Sequence, residues 1–193
     1  MSAERKFDRD EVLDRAMQAF WARGYQATSI QDIVDITGVN RASLYQTYGD
    51  KRELFLACLK LYDRTRRRQV LENLEENHPP VEAIRSLFAG FVAAATRRGG
   101  IKGCFLTNIA LELAPYDPAV RRFVARSQKE IESFFERMVR KGKEQGVIPD
   151  RVRSEDAARG LLAALLGLIV LTRSQPDLQL LTGVVDDAMN RLA

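Results

Sequence analysis

From Asp8 to Leu192 apolar residues recur every three or four positions, and nowhere do they alternate with polar ones between Asn-Gly or Asp-Gly turns. That spacing draws one stripe along a helix, whereas a half-buried strand needs a period of two, so the chain is predicted to be all-α. At 193 residues and 46% apolar content it has side-chain volume for a sizeable core. The first helix opens at Asp8 with Glu11 three residues on, sets Leu13, Ala16, Met17 and Phe20 on one face, and stops at Gly24. A second starts at Thr28 or Ser29, turns Ile30, Ile33 and Val34 inward, and ends at Gly38. A third covers about 40–48, and Asp50 with Glu53 opens a long helix reaching about Leu74. After the NHPP break at 77–80, helices are expected over about 81–98, 104–114, 118–142, 154–174 and 177–192, with a flexible turn at 97–103.

Two short helices joined by a tight glycine turn are the requirement for a helix-turn-helix, whose second helix can lie in a major groove. TSIQDIVDITGVNRASLYQTYGDK has that layout, with Gly38 at the turn and Ile33, Val34, Val39 and Leu44 fixing the helix angle. The exposed face of the second helix is left with Asn40, Arg41, Ser43, Tyr45, Gln46 and Tyr48. Arginine pairs with guanine edges, amides with adenine, and hydroxyls reach phosphates. Thr28 and Ser29 would add free amides at a helix start, and Lys51 with Arg52 a second phosphate contact. Other readings compete: Tyr45 and Tyr48 as core rings, Arg41 as a solvated charge.

The run GYQATSIQDIVDITGVNRASLYQTYGDKRELF resembles the DNA-binding signature of the TetR family over its whole length. The resemblance covers roughly residues 8–56, and the later helical pattern is similar to that family's nine-helix layout. It implies a three-helix DNA-binding domain over 1–52 and a helical ligand-binding and dimerisation domain over 53–193, joined rigidly inside the long helix. The implied function is that of a homodimeric repressor, released from two-fold, double-stranded operator DNA by a small-molecule inducer of unknown identity. Phosphate contacts would fall on Thr28, Tyr45, Tyr48 and Lys51, and base reading on Asn40, Arg41 and Ala42. Ala42 departs from the small polar or glycine residues common there and offers only a methyl, which leaves base preference open.

The resemblance also implies a pocket between the middle helices, for which Tyr62, Phe88, Phe91, Cys104, Phe105, Asn108, Glu112 and Phe123 are candidates. Mostly apolar walls would suit a mostly apolar ligand. Plain core packing is the alternative for the aromatic residues. Cys104 begins a helix, where the dipole can activate a thiol, and GCFLTNIALEL is similar to a branch of the family with thiol-reactive sensors; a small buried hydrophobe is the other reading. Two apolar helices at the end of such a chain imply a four-helix dimer interface carried by Leu161, Leu165, Leu168, Leu181, Val184, Val185 and Ala188, with interior packing as the alternative.

Charge adds little: the net +4 is compatible with a polyanion, yet residues 1–52 hold eight basic and eight acidic side chains. RTRRR at 64–68 is expected to be a solvated helix face. Two cysteines and the single His78 provide neither a disulfide framework, a metal cluster nor a nucleophile–base pair, so no cofactor and no enzyme is expected. The charged start MSAERKFDRDEVLDRAM lacks a signal's apolar segment, and the longest uncharged stretch, 160–172, is short for a membrane span, so the expectation is a cytoplasmic protein with no membrane partner.

Overall fold

The structure, a computed structural model, describes residues 8–97 and 102–193. The first seven residues of the charged start, and positions 98–101 of the expected flexible turn, lie outside the described residues. Among those described there is no strand, and the all-α expectation holds.

The first three helices are α1 (Arg9–Arg23), α2 (Ile30–Thr37) and α3 (Arg41–Tyr48). Asp8 caps α1 by accepting the amides of Asp10 and Glu11. Ser29 and Asp32 form a complete capping box on α2, and Asn40 caps α3 through the Ser43 amide at 2.9 Å. These side chains satisfy amides that a helix start leaves without partners. Gly38 stands between α2 and α3 at φ 71°, in the left-handed region, and its N–H donates to the Val34 carbonyl. A side chain there would be strained, which is why the turn carries glycine. Ile33, Val39 and Leu44 are buried beneath it.

A long rod follows: α4 (Lys51–Tyr62), a π-helical stretch (Asp63–Arg68) and α5 (Gln69–Asn77). Its start packs on α1, with Phe55 edge-on to Phe20 at 5.2 Å. The remaining helices are α6 (Pro80–Ala95), α7 (Phe105–Glu112), α8 (Pro118–Glu144), α9 (Ser154–Ser174) and α10 (Leu178–Asn190). With the rod taken as one element, nine helices are present among the described residues. α8 packs against α6 and α9, and α10 closes over α6 and α9, around a core that includes Phe88 and Phe135.

One expectation fails in this body. Leu161, Leu165, Leu168, Leu181 and Ala188 are all at most 2% exposed, and Val185 is buried too, so these side chains are core rather than a surface for a second copy. Val184 is half-buried. The periodicity of α9 marks the inward stripe; its outward side instead carries Ala163, Gly167 and Val170. α9 has 21 residues, and an 18-residue window of it reaches a mean hydropathy of 1.5, so by length and composition alone it is long and apolar enough to cross a bilayer. Here its apolar stripe is filled by α6, α8 and α10.

Candidate nucleic-acid interface

The helix starting at Arg41 turns Leu44 inward and leaves Arg41, Ala42, Tyr45 and Gln46 exposed in one row. Arg41 reaches Gln31 of α2 only loosely, at 3.4 Å, so its guanidinium retains most of its donors. Tyr45 is 43% exposed, which removes the core alternative for that ring. An exposed arginine, amide and phenol on a short capped helix can contact base edges and phosphates in a groove.

Around this row several expected contacts are otherwise committed. Thr28 has no exposed surface, and its hydroxyl donates to the Gly24 carbonyl at 2.7 Å, so it braces the α1–α2 turn and is not a surface contact. The Ser29 amide is not free: it donates to Asp32 at 2.7 Å, and that carboxylate occupies the helix start where a phosphate was expected. Hydrogen bonds from Ser29 hold the Asp32 pKa below its ordinary value, with Arg23 adding to the effect. Asn40 spends its side-chain oxygen on the cap and keeps its NH2 group for an acceptor. Tyr48 is half-buried and donates to the Arg9 carbonyl at 2.9 Å, tying α3 to α1. Lys51 sits over the Tyr25 ring at 4.3 Å, and desolvation lowers its pKa. Arg52 grips Asp117 through two hydrogen bonds of 2.8 and 3.2 Å and is not a free phosphate contact. That grip, chiefly, lowers the Asp117 pKa to about 2.

Arg52 belongs to a set of ties between the first helices and the body that the sequence did not announce. The Glu112 carboxylate accepts the amides of Tyr25 at 3.2 Å and Gln26 at 2.8 Å. Trp21 donates its indole N–H to the carbonyls of Lys102 and Gly103, both at 3.1 Å. Glu112 is thus a latch, not the pocket residue expected of it. With Asn108, it lines a surface cleft beside Trp21 and Arg173.

A cavity of about 50 Å³ lies between the rod, α6, α7, α8 and α9. Tyr62, Phe91 and Cys104 line it as expected, and the Tyr62 hydroxyl lies 3.5 Å from the Cys104 sulfur. Burial raises the Tyr62 pKa well above its ordinary value, so the phenol is neutral. Phe88 and Phe105 are buried in the packing around Phe135 and Phe55, and Phe123 lies under Arg126 at 5.1 Å; none of the three lines the cavity. Cys58 is core, its thiol pKa pushed up by burial.

The RTRRR run is not a uniform solvated face. Arg67 is buried and donates to Asp63 at 2.6 Å and to Glu130; Arg68 donates to the same two carboxylates at 3.0 and 2.9 Å. Burial opposes the Arg67 charge, but the bonds to Asp63 and Glu130 outweigh it and raise its pKa overall. In the π stretch, residues four and five positions on both face Asp63, which lets one carboxylate hold both arginines. The i,i+4 spacing of Asp63 and Arg67 was the available signal; Glu130, more than sixty residues away, had none.

A glycine-turned pair of short helices with an exposed reading row, carried on a larger helical body, defines a helix-turn-helix protein. The chain matches the family model described as bacterial regulatory proteins, tetR family, over residues 12–58, and that of a tetracyclin repressor-like C-terminal domain over 80–186. It is 35% identical over 193 residues to YezE of Bacillus subtilis strain 168, an uncharacterized HTH-type transcriptional regulator, covering 100% of each chain. To ComR of Escherichia coli K12, an HTH-type transcriptional repressor, it is 28% identical over 174 residues, 90% of this chain and 83% of that one. Among solved structures it is similar to a cysteine mutant of the TetR family regulator CifR complexed with 26-base-pair double-strand operator DNA, with a TM-score of 0.86, 28% identity and 100% of each chain covered. The chain belongs to the TetR family of transcriptional regulators.

Proposed function

We propose that this protein is a homodimeric, cytoplasmic repressor that binds a two-fold operator and is released from it by a small molecule. The observation that carries the reading is the exposed row Arg41, Ala42, Tyr45 and Gln46 on a helix held by the Asn40 cap and the Gly38 turn. The likeness to CifR, whose solved complex holds operator DNA, supports it. Asn40 and Arg41 read bases, Ala42 offers a methyl contact, and Tyr45, Gln46 and Lys51 meet the backbone. Ser43 and Tyr48 hold the helix rather than read.

A second copy would be met by the outward sides of α9 and α10, where Ala163, Gly167, Val170, Leu178, Thr182 and Gly183 are exposed. Val184, half-buried, would border that face. Two heads in one dimer would address successive major grooves about 34–36 Å apart. Ligand entry between the rod and α7 would alter that spacing through α4 and through the Glu112 latch.

Titration against DNA from upstream of its own gene, at two salt concentrations with nonspecific competitor, tests the reading. Specific binding should survive competition and weaken with salt. Arg41→Ala should abolish it while leaving the dimer intact. Unchanged specific affinity in that variant would refute the assignment.

A further inference from the structure

The cavity beside the π stretch has chemistry that packing alone does not require. Arg67 is among its lining residues, with a side chain 6% exposed. Its Nε and Nη2 are committed to Asp63 and Glu130, while Nη1 is buried with no hydrogen-bond partner. A buried guanidinium nitrogen left in that state is costly and calls for an acceptor. Thr107 and Gln128 line the same space, and their side chains make no hydrogen bond among the described residues. The rest of the wall is largely apolar, including Leu71, Leu87, Phe91, Leu165 and Ile169.

Charge decides what kind of acceptor fits. The guanidiniums of Arg67 and Arg68 already face the carboxylates of Asp63 and Glu130, and Arg126, 60% exposed, lies 4.0 Å from Glu130. Arg126 keeps its charge largely in solvent, so a ligand carboxylate would set a third anion against the two cations that Asp63 and Glu130 already pair, whereas a neutral oxygen would not. We infer that the cavity takes an uncharged, mostly apolar molecule bearing one carbonyl-type oxygen, which accepts from Nη1 of Arg67 with Thr107 or Gln128 beside it. At about 50 Å³ the space holds a water or two, each occupying about 30 Å³ in the liquid, so the ligand must spread the walls to enter.

The inference rests on the ligand-responsive reading above, but its test needs no DNA. Three benzene derivatives of similar size serve as probes for calorimetric titration of the whole protein: acetophenone, its carbonyl-free isostere cumene, and benzoate. Acetophenone should bind on the order of tenfold or more tighter than cumene, the effect of one hydrogen bond to a charged group, and benzoate no better than cumene. Arg67→Lys keeps a cation for Asp63 but has no Nη1, and should abolish the preference while leaving cumene affinity within about threefold. Should that variant fail to fold, nitrogen-15 arginine labelling of the unaltered protein replaces it: the guanidinium signal from the buried arginine should move with acetophenone and stay with cumene. Equal affinity for acetophenone and cumene, tightest binding of benzoate, or no binding of any probe would overturn the inference, the last leaving Nη1 to a buried water only. Operator titration without probes is independent of all three outcomes, so the proposed function stands or falls separately.

Discussion

Gly24 and Glu112 offer a sharp test of how the DNA-binding helices are fastened to the body. Gly24 ends α1 at φ 89° and ψ 169°, a region open essentially to glycine alone. A Cβ built there would stand 2.8 Å from one Glu112 carboxylate oxygen, the same group that accepts the Tyr25 and Gln26 amides. Gly24→Ala therefore strains the backbone, by about 2 kcal/mol, and pushes the latch away. Hydrogen bonds to a charged group contribute about 1.5–3 kcal/mol each, but Gln26 is exposed and water can replace part of the loss, so the latch is worth about 2 kcal/mol. Glu112→Ala should cost about 2 kcal/mol, Gly24→Ala about 4, and the double variant about 4 rather than the additive 6, because the latch can be lost only once. At roughly 2–4 °C per kcal/mol for a chain of this size, the glutamate variant should melt about 4–8 °C lower. Thermal unfolding of all four proteins supplies the cycle. Additivity within about 0.5 kcal/mol would refute the shared-latch argument.

Further outcomes follow from other contacts. Hydrogen bonds from Arg137, with those of Lys141, lower the Glu75 pKa from 4.5 to about 2. The depressed value means that its contribution is complete above pH 4.5 and is lost as pH falls toward 2; with Arg137 and Lys141 about half exposed, screening reduces it to about 1–2 kcal/mol. Acid titration of stability should be shallower in Glu75→Gln by that amount, and identical curves would exclude the mechanism. Tyr45→Phe should weaken operator binding at unchanged melting temperature, whereas Tyr48→Phe should lower the melting temperature by roughly 2–4 °C, since only Tyr48 spends its hydroxyl inside the protein. Gel shifts and calorimetry on the pair distinguish these. Arg52→Ala should lower the melting temperature slightly and leave the salt dependence of DNA binding unchanged, because Arg52 holds Asp117 and not a phosphate; a reduced salt slope would count against that.

The elements most legible in the sequence were those set by local rules. Asp8, Ser29 and Asp50 all cap where their spacing placed them, and Gly38 makes the turn its position required. Such signals act within four residues and survive without knowledge of the rest of the chain. Which side of a helix faces another copy is a different question. In α9 the leucine stripe that suggested an interface is the stripe the body buries, because interior and interface use the same residue types. Thr28 misled for a similar reason: a hydroxyl at a helix start can face a phosphate or return to the chain, and the Gly24 carbonyl captured it.

The pairings that join the two regions were illegible for a physical reason. Glu112 and Gln26, Arg52 and Asp117, and Trp21 and Gly103 are separated by 65 to 86 residues, and only the folded topology brings them together. Their arrangement also narrows the route by which a ligand could reach the reading head. The rod alone would carry a displacement from Arg67 to Lys51 over roughly 24 Å, through the π stretch that interrupts its regular hydrogen bonding. By contrast, α7 spans about 12 Å; Leu106 and Thr107 line the cavity near its start, and Glu112 at its end holds the Tyr25 and Gln26 amides. A ligand that spreads the cavity must push on α7 directly, and α7 is fastened to the turn that opens the helix-turn-helix. In the proposed regulator, the short helix is therefore the stiffer path, and the long one is chiefly the frame against which it moves.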